Sequence, residues 1–94
     1  MTKKERFNKL AELGCVVCRT FFGIHTPCQI HHLTGIKYRS TGKKASDEHT
    51  IGLCSIHHQN GTKHNPGIHT HPELFAEKYG SQENLLDITN GLIK

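Results

Sequence analysis

Leu53-Cys54-Ser55-Ile56-His57-His58-Gln59 is the stretch on which the reading of this chain turns. Cys54 and His57 are three residues apart, so on a helix they share one face. His57 and His58 are adjacent, and at ~3.6 residues per turn their side chains project about 100° apart. One short helix here can therefore give one imidazole to a site it shares with Cys54 and the other imidazole to a second site. Two further motifs lie upstream, Cys15-Val16-Val17-Cys18 and the doublet His31-His32.

Cys15, Cys18, Cys54 and His57 form two matched pairs of soft ligands, the donor set of a closed, tetrahedral structural zinc site. The gap from Cys18 to Cys54 is longer than in an ordinary zinc finger. A knuckle, an inserted β-hairpin and a helix fill it, which is the treble-clef arrangement. Buried reduced thiols are common in cores, but that reading leaves the pairing unexplained. Two alternatives stay open. His58 can replace His57 as the fourth ligand, and Cys28-Gln29-Ile30-His31 also has ligand spacing. The plainest reading of Cys28 is a small residue buried on a strand.

The rest of the chain explains why a metal is needed. Its 94 residues are 34% hydrophobic with no Trp, and the four Cys and nine His offer a staple for a lean core. The opening Met1-Thr2-Lys3-Lys4-Glu5-Arg6 has no apolar core of a secretory signal, and no apolar run approaches the ~20 residues of a membrane span. We therefore expect a cytoplasmic protein with no membrane partner, in which a CxxC motif binds metal rather than forming a disulfide. No thioredoxin-like βαβ pattern flanks the motif. Residues 1–44 carry nine Lys/Arg and two acids, whereas residues 45–94 carry three Lys and six acids. A basic half suits a polyanionic partner bound through salt-sensitive phosphate contacts, although a solvated basic surface accounts for the charge alone equally well.

The pattern divides into short elements within one domain, residues 1–94. Thr2-Lys3-Lys4-Glu5 matches a capping box, followed by Phe7, Leu10, Ala11 and Leu13 at helical spacing and by Gly14 as terminator. Cys15 to Cys18 reads as a tight turn. Thr26 to Leu33 and Thr50 to Leu53 are β-prone, joined by the Gly-, Ser- and Lys-rich stretch Thr34 to Glu48. Cys54 to Gln59 opens a short helix. Thr70-His71-Pro72-Glu73 reads as a second capping box leading into Leu74, Phe75, Lys78 and Tyr79, and Ser81 caps a last helix with Leu85, Leu86 and Ile88. Phe21, Phe22, Phe75 and Tyr79 are expected to pack around the metal site. The fold class predicted is α+β, with an N-terminal helix and two C-terminal helices.

At this point the chain resembles a family. CxxC, a strand doublet ending in His, then His49-Thr50-Ile51-Gly52-Leu53-Cys54 and Ser55-Ile56-His57-His58, is similar to the HNH, or ββα-metal, endonucleases. More narrowly, His31-His32-Leu33-Thr34-Gly35, Ile51-Gly52-Leu53-Cys54 with His57-His58-Gln59, Gly67-Ile68-His69, and Phe75 with Tyr79-Gly80 and Leu85-Leu86 resemble the bacteriophage recombination-enhancement (Ref-type, RecA-dependent) nuclease domain, over roughly residues 12–90. The resemblance implies roles. His31, His58 and His69 would ligate a catalytic metal, and His32 would be the general base. His49 takes the place of the central Asn that orients the base or contacts phosphate, and His57 stands where many members have Cys. The resemblance also implies 3′-hydroxyl and 5′-phosphate products and, as a further partner, a recombinase–DNA filament in a bacterial or phage-infected cell.

The residue types suit that chemistry. Phosphodiester cleavage needs a cation near the phosphate and the departing oxygen and a base that works near neutral pH. An all-imidazole set favours Zn²⁺, Mn²⁺ or Ni²⁺ over Mg²⁺. Lys37, Arg39, Lys43, Lys44 and Lys63 are the candidate phosphate contacts on DNA. His25, His64 and His71 read as solvated. The competing functional reading is a non-catalytic zinc-stabilised DNA-binding module, and a third is an adaptor within a recombination complex. Oligomeric state is not legible in the sequence.

Overall fold

In a computed structural model, residues 1–34 and 46–93 are described. The expected DNA contacts Lys37, Arg39, Lys43 and Lys44 lie outside the described residues. Helix α1 (Lys3–Leu13) begins as its sequence dictates: the Thr2 hydroxyl accepts from the Glu5 N–H at 3.1 Å, and the Glu5 carboxylate accepts from the Thr2 N–H at 3.4 Å. The Thr2 hydroxyl also donates to the Glu5 carboxylate at 3.0 Å, and this bond, then that from the Thr2 N–H, holds the Glu5 carboxyl below its ordinary pKa. Gly14 ends the helix at φ 76°, where a Cβ would run into the Thr26 carbonyl oxygen.

Val16 and Val17 continue helically into a π-helical turn, Cys18–Phe22, closed by Gly23 in the left-handed region. The tight turn expected at Cys15 to Cys18 is thus a helical one, with the Arg19 N–H bonded to the Cys15 carbonyl at 3.0 Å. Strands β1 (Gln29–His32) and β2 (Thr50–Leu53) pair antiparallel, with Gln29 opposite Leu53 and His32 opposite Thr50. The first strand is shorter than the β-prone segment because residues 26–28 form no ladder. Helix α2 (Ser55–His58), helix α3 (Pro72–Tyr79) and helix α4 (Gln82–Leu92) complete the order. Ser81 caps α4 by accepting from the Asn84 N–H at 3.1 Å. The cap of α3 is His71 rather than Thr70. The Thr70 hydroxyl is taken by the backbone of Gly67 instead. Among the described residues no helix is long and apolar enough to cross a membrane.

The main core unites Val16, Val17, Leu33, Ile51, Leu53, Phe75, Tyr79 and Leu85 with the buried thiols of Cys15 and Cys18. Phe75 and Tyr79 pack there as expected, but Phe21 and Phe22 remain 45% and 47% exposed. They ride on the outer side of the π-helical turn, where Phe21 meets Tyr79 edge-on and Phe22 stacks on His57. A second cluster joins Leu10 and Leu13 of α1 to Ile93.

Buried Arg6 bolts three elements together. It donates to the Thr50 hydroxyl at 2.9 Å, to the Thr50 carbonyl at 2.6 Å and to the Asn90 side-chain oxygen at 2.9 Å. Burial lowers its pKa, and the charge of Glu48 acts in the opposite direction. Arg6→Ala leaves the buried acceptors of Thr50 on β2 and the half-buried one of Asn90 on α4 without their donor, so we expect a loss of about 2–3 kcal/mol in urea unfolding of the zinc-loaded protein. The exposed Lys4→Ala control should stay within about 0.5 kcal/mol of the parent.

Candidate metal centres

Two clusters of ligand groups meet at α2. In the first, the ligand atoms of Cys15, Cys18, Cys54 and His57 all lie within 4.8 Å of one another. The helical turn puts Cys15 and Cys18 on one face, and the Cys18 N–H points at the Cys15 Sγ at 3.4 Å. Cys54 caps α2 with its backbone while its Sγ turns to Cys18 Sγ at 3.8 Å and His57 Nδ1 at 3.2 Å. His57 Nδ1 is also 3.5 Å from Cys18 Sγ and 3.7 Å from Cys15 Sγ.

These spacings can be compared with what zinc requires. Tetrahedral bonds of ~2.3 Å to sulfur and ~2.0 Å to nitrogen separate two sulfurs by roughly 3.8 Å and nitrogen from sulfur by roughly 3.5 Å. The Cys18–Cys54 separation matches that figure and the three sulfur–nitrogen separations lie near it, whereas a disulfide would need sulfurs ~2.05 Å apart, and all four cysteines are free. The cluster could hold zinc. Burial pushes the Cys15 thiol up to about 12, with the neighbouring Cys54 and Cys18 adding to the rise and backbone hydrogen bonds opposing it. Metal must therefore displace protons to bind. Burial also lowers the pKa of His57, which keeps its ring neutral and ligand-ready.

The second cluster brings His31, His58 and His69 together. Their ring centroids are 5.2 Å (His31–His58), 5.1 Å (His31–His69) and 4.8 Å (His58–His69) apart. His31 comes from β1 and His58 from α2, the residue after His57. His69 arrives by backbone pairing: the Ile68 N–H bonds the His57 carbonyl at 2.9 Å, and the His69 N–H bonds the His58 carbonyl at 3.1 Å. Gly61 and Gly67 permit this return, because a Cβ on Gly61 would collide with the Gly67 backbone and one on Gly67 would sit 2.8 Å from the Ile56 carbonyl oxygen. His31 and His58 are buried while His69 is exposed, so the cluster opens to solvent on one side. Burial, then proximity to His58, His69 and His32, takes His31 down to about 4, against the opposing hydrogen bond of Gln82. Burial followed by the nearby His69 lowers His58 as well.

The doublet His31-His32 splits across the strand, as alternation requires. His31 faces the histidine cluster, while His32 Nε2 meets Asp47 Oδ1 at 2.8 Å and its ring meets Phe7 edge-on. β1 ends at His32. His49 is not in either ligand cluster; its carbonyl accepts from the Leu33 N–H at 3.0 Å, extending the strand pairing by one step. Lys63 is exposed in the bend after α2. Cys28 joins neither cluster and donates to the Leu10 carbonyl at 3.3 Å. His57 and His58 occupy separate clusters, so among the described residues the alternative sets with His58 or Cys28 on the sulfur cluster are not formed. Three residues that sequence reasoning passed over border the histidines: Asp47 on His32, Gln29 Oε1 at 2.8 Å from His58 Nδ1, and Gln82 Oε1 at 3.0 Å from His31 Nε2. Gln29 sits two positions before His31, so alternation places it on the same strand face, a signal that was present in the sequence. Gln82 carries none, being 51 residues from its histidine.

Two Cys/His clusters sharing one short helix, on a pair of antiparallel strands, define a small α+β domain equipped to bind metal. The family model described as "Recombination enhancement, RecA-dependent nuclease" matches residues 1–94, and the chain belongs to that family. No curated relative and no solved structure matches it.

We expect two divalent-ion equivalents per chain by metal analysis. Cys54→Ser should lose both equivalents together with cooperative unfolding, whereas His58→Ala should lose one with its circular dichroism unchanged. The low pKa of His31 also has a sign in stability. The unfolded chain protonates His31 near pH 6.5 and the folded chain only near 4, so its contribution is complete above pH 6.5 and is lost as pH falls towards 4. With one zinc equivalent bound, the parent should lose more stability between pH 7 and 5 in urea melts than His31→Gln.

Proposed function

We propose that this chain is a single-domain, HNH-type endonuclease of treble-clef, ββα-metal architecture that hydrolyses phosphodiester bonds in DNA. The observation that carries the reading is the convergence of His31, His58 and His69 on a solvent-open site, with His32 next in the chain at the end of β1. Cys15, Cys18, Cys54 and His57 hold a structural zinc and fix the helix. A divalent ion at the open site, Zn²⁺, Mn²⁺, Ni²⁺ or Mg²⁺, would supply positive charge beside the scissile phosphate and the departing oxygen. His32 takes a proton from the attacking water. Its contact with Asp47 occupies Nε2, leaving Nδ1 as the basic nitrogen, and the carboxylate steadies the ring once it is charged. His49 orients the substrate phosphate from the connection before β2. Lys63, and the Lys37, Arg39, Lys43 and Lys44 stretch, grip flanking phosphates. The family description supports nuclease work in recombination; the setting we propose with it is DNA beside a recombinase filament, in the cytoplasm of a bacterial or phage-infected cell.

The test is nicking of supercoiled plasmid by metal-stripped protein titrated with each of the four ions. We expect His32→Ala to lower the cleavage rate by about 10²–10⁴-fold with its fold and metal content retained. Undiminished cleavage by that variant would remove His32 as the base. A chain that holds one zinc, takes up no second ion and nicks no plasmid would instead be the non-catalytic zinc-stabilised DNA-binding module.

A further inference from the structure

Gln82 is the first residue of α4, and its amide makes four contacts at the edge of the histidine cluster. Its Oε1 accepts from the Thr34 N–H at 3.0 Å and the Thr34 hydroxyl at 3.3 Å, and lies 3.0 Å from His31 Nε2. Its Nε2 donates to the Thr34 carbonyl at 3.2 Å. A backbone N–H only donates and a carbonyl only accepts. Thr34 therefore engages both ends of the amide and leaves no ambiguity about which end is oxygen. An amide oxygen facing a ring nitrogen accepts from it, so His31 must carry its proton on Nε2. The lone pair of the neutral ring is then on Nδ1. Gln29 borders the second buried histidine in a similar way, its Oε1 2.8 Å from His58 Nδ1.

We propose that Gln82 is a positioning residue for the three-histidine site, locking His31 in the Nε2–H tautomer so that Nδ1 is the atom offered to the ion. The inference rests on the reading of His31, His58 and His69 as a metal site. The usual outer partner of a ligating histidine is a carboxylate, a backbone carbonyl or water. A side-chain amide supplies the acceptor without a negative charge, so a bound ion keeps its full charge for an anionic substrate. Thr34 and α4 thereby become part of the metal site although neither contributes a ligand.

The protein with one equivalent of zinc in the cysteine cluster permits a direct reading. Two-bond ¹⁵N–¹H correlation of the His31 ring should show the Nε2–H tautomer in the parent and a mixture in Gln82→Ala. Uptake of a second equivalent, followed by Co²⁺ absorption, should weaken by about 10–100-fold in Gln82→Ala. Gln82→Glu, which keeps the acceptor, should restore both the tautomer and most of the affinity. An Nδ1–H tautomer in the parent, or a Gln82→Ala variant that binds the second Co²⁺ as tightly as the parent, overturns the proposal. Should Gln82→Ala fail to fold, the tautomer of the parent and the affinity of Gln82→Glu decide. A parent that binds no second ion at all would sink the metal-site reading itself, whereas two bound ions with unchanged Gln82→Ala affinity would sink only the role of Gln82.

Discussion

A helix of four residues does not hold itself in water, because one turn fixes more backbone than its hydrogen bonds repay. α2 has no side-chain cap at its start, since Cys54 turns its sulfur away into the cysteine cluster. The helix is held from outside, at its N-terminal end by the meeting of Cys54 and His57 with Cys15 and Cys18, and along its side by the backbone of Ile68 and His69. Once His57 is committed to the sulfurs, the direction of His58 follows from helical geometry. The site that reads as reactive is in this sense built by the one that reads as structural.

The two clusters differ in the physical problem they pose. The cysteine cluster buries the Cys15 thiol, whose ionisation is strongly disfavoured until a cation compensates it. The histidine cluster buries two imidazoles already kept neutral by desolvation, so a cation there meets little competition from protons at neutral pH. Its neighbours Gln29 and Gln82 are neutral as well. A site without anionic ligands suits an anionic substrate, which can bring the compensating charge itself.

Much of this was legible in the chain. The capping box of Thr2 and Glu5, the stop at Gly14, the second strand and the cap at Ser81 are local devices, and each acts where the sequence places it. Both ligand groups could be assembled from spacing and resemblance, including the split of His57 from His58. What escaped was governed by the conformation the folded chain adopts rather than by a local signal. Thr70 resembles a cap, but the fold gives its hydroxyl to Gly67. Phe21 and Phe22 look like core residues, yet the widened turn leaves them half outside. The His31-His32 doublet hides a partition between two faces, and only tertiary packing reveals Asp47 and Gln82 as the residues waiting on each side.

The pairing of residues 68 and 69 with the carbonyls of His57 and His58 works as a ruler. The third histidine is chosen by counting from Gly67, not by the length of the path that leads there. A family member could lengthen the exposed turn around Thr62 to Asn65 without disturbing the site, since the ladder begins after it. A single residue inserted between Gly67 and His69 would shift the count and seat a different side chain against His58. Tolerance to insertion should therefore change abruptly at one glycine, a boundary that divides spacer from machinery within a few residues of chain.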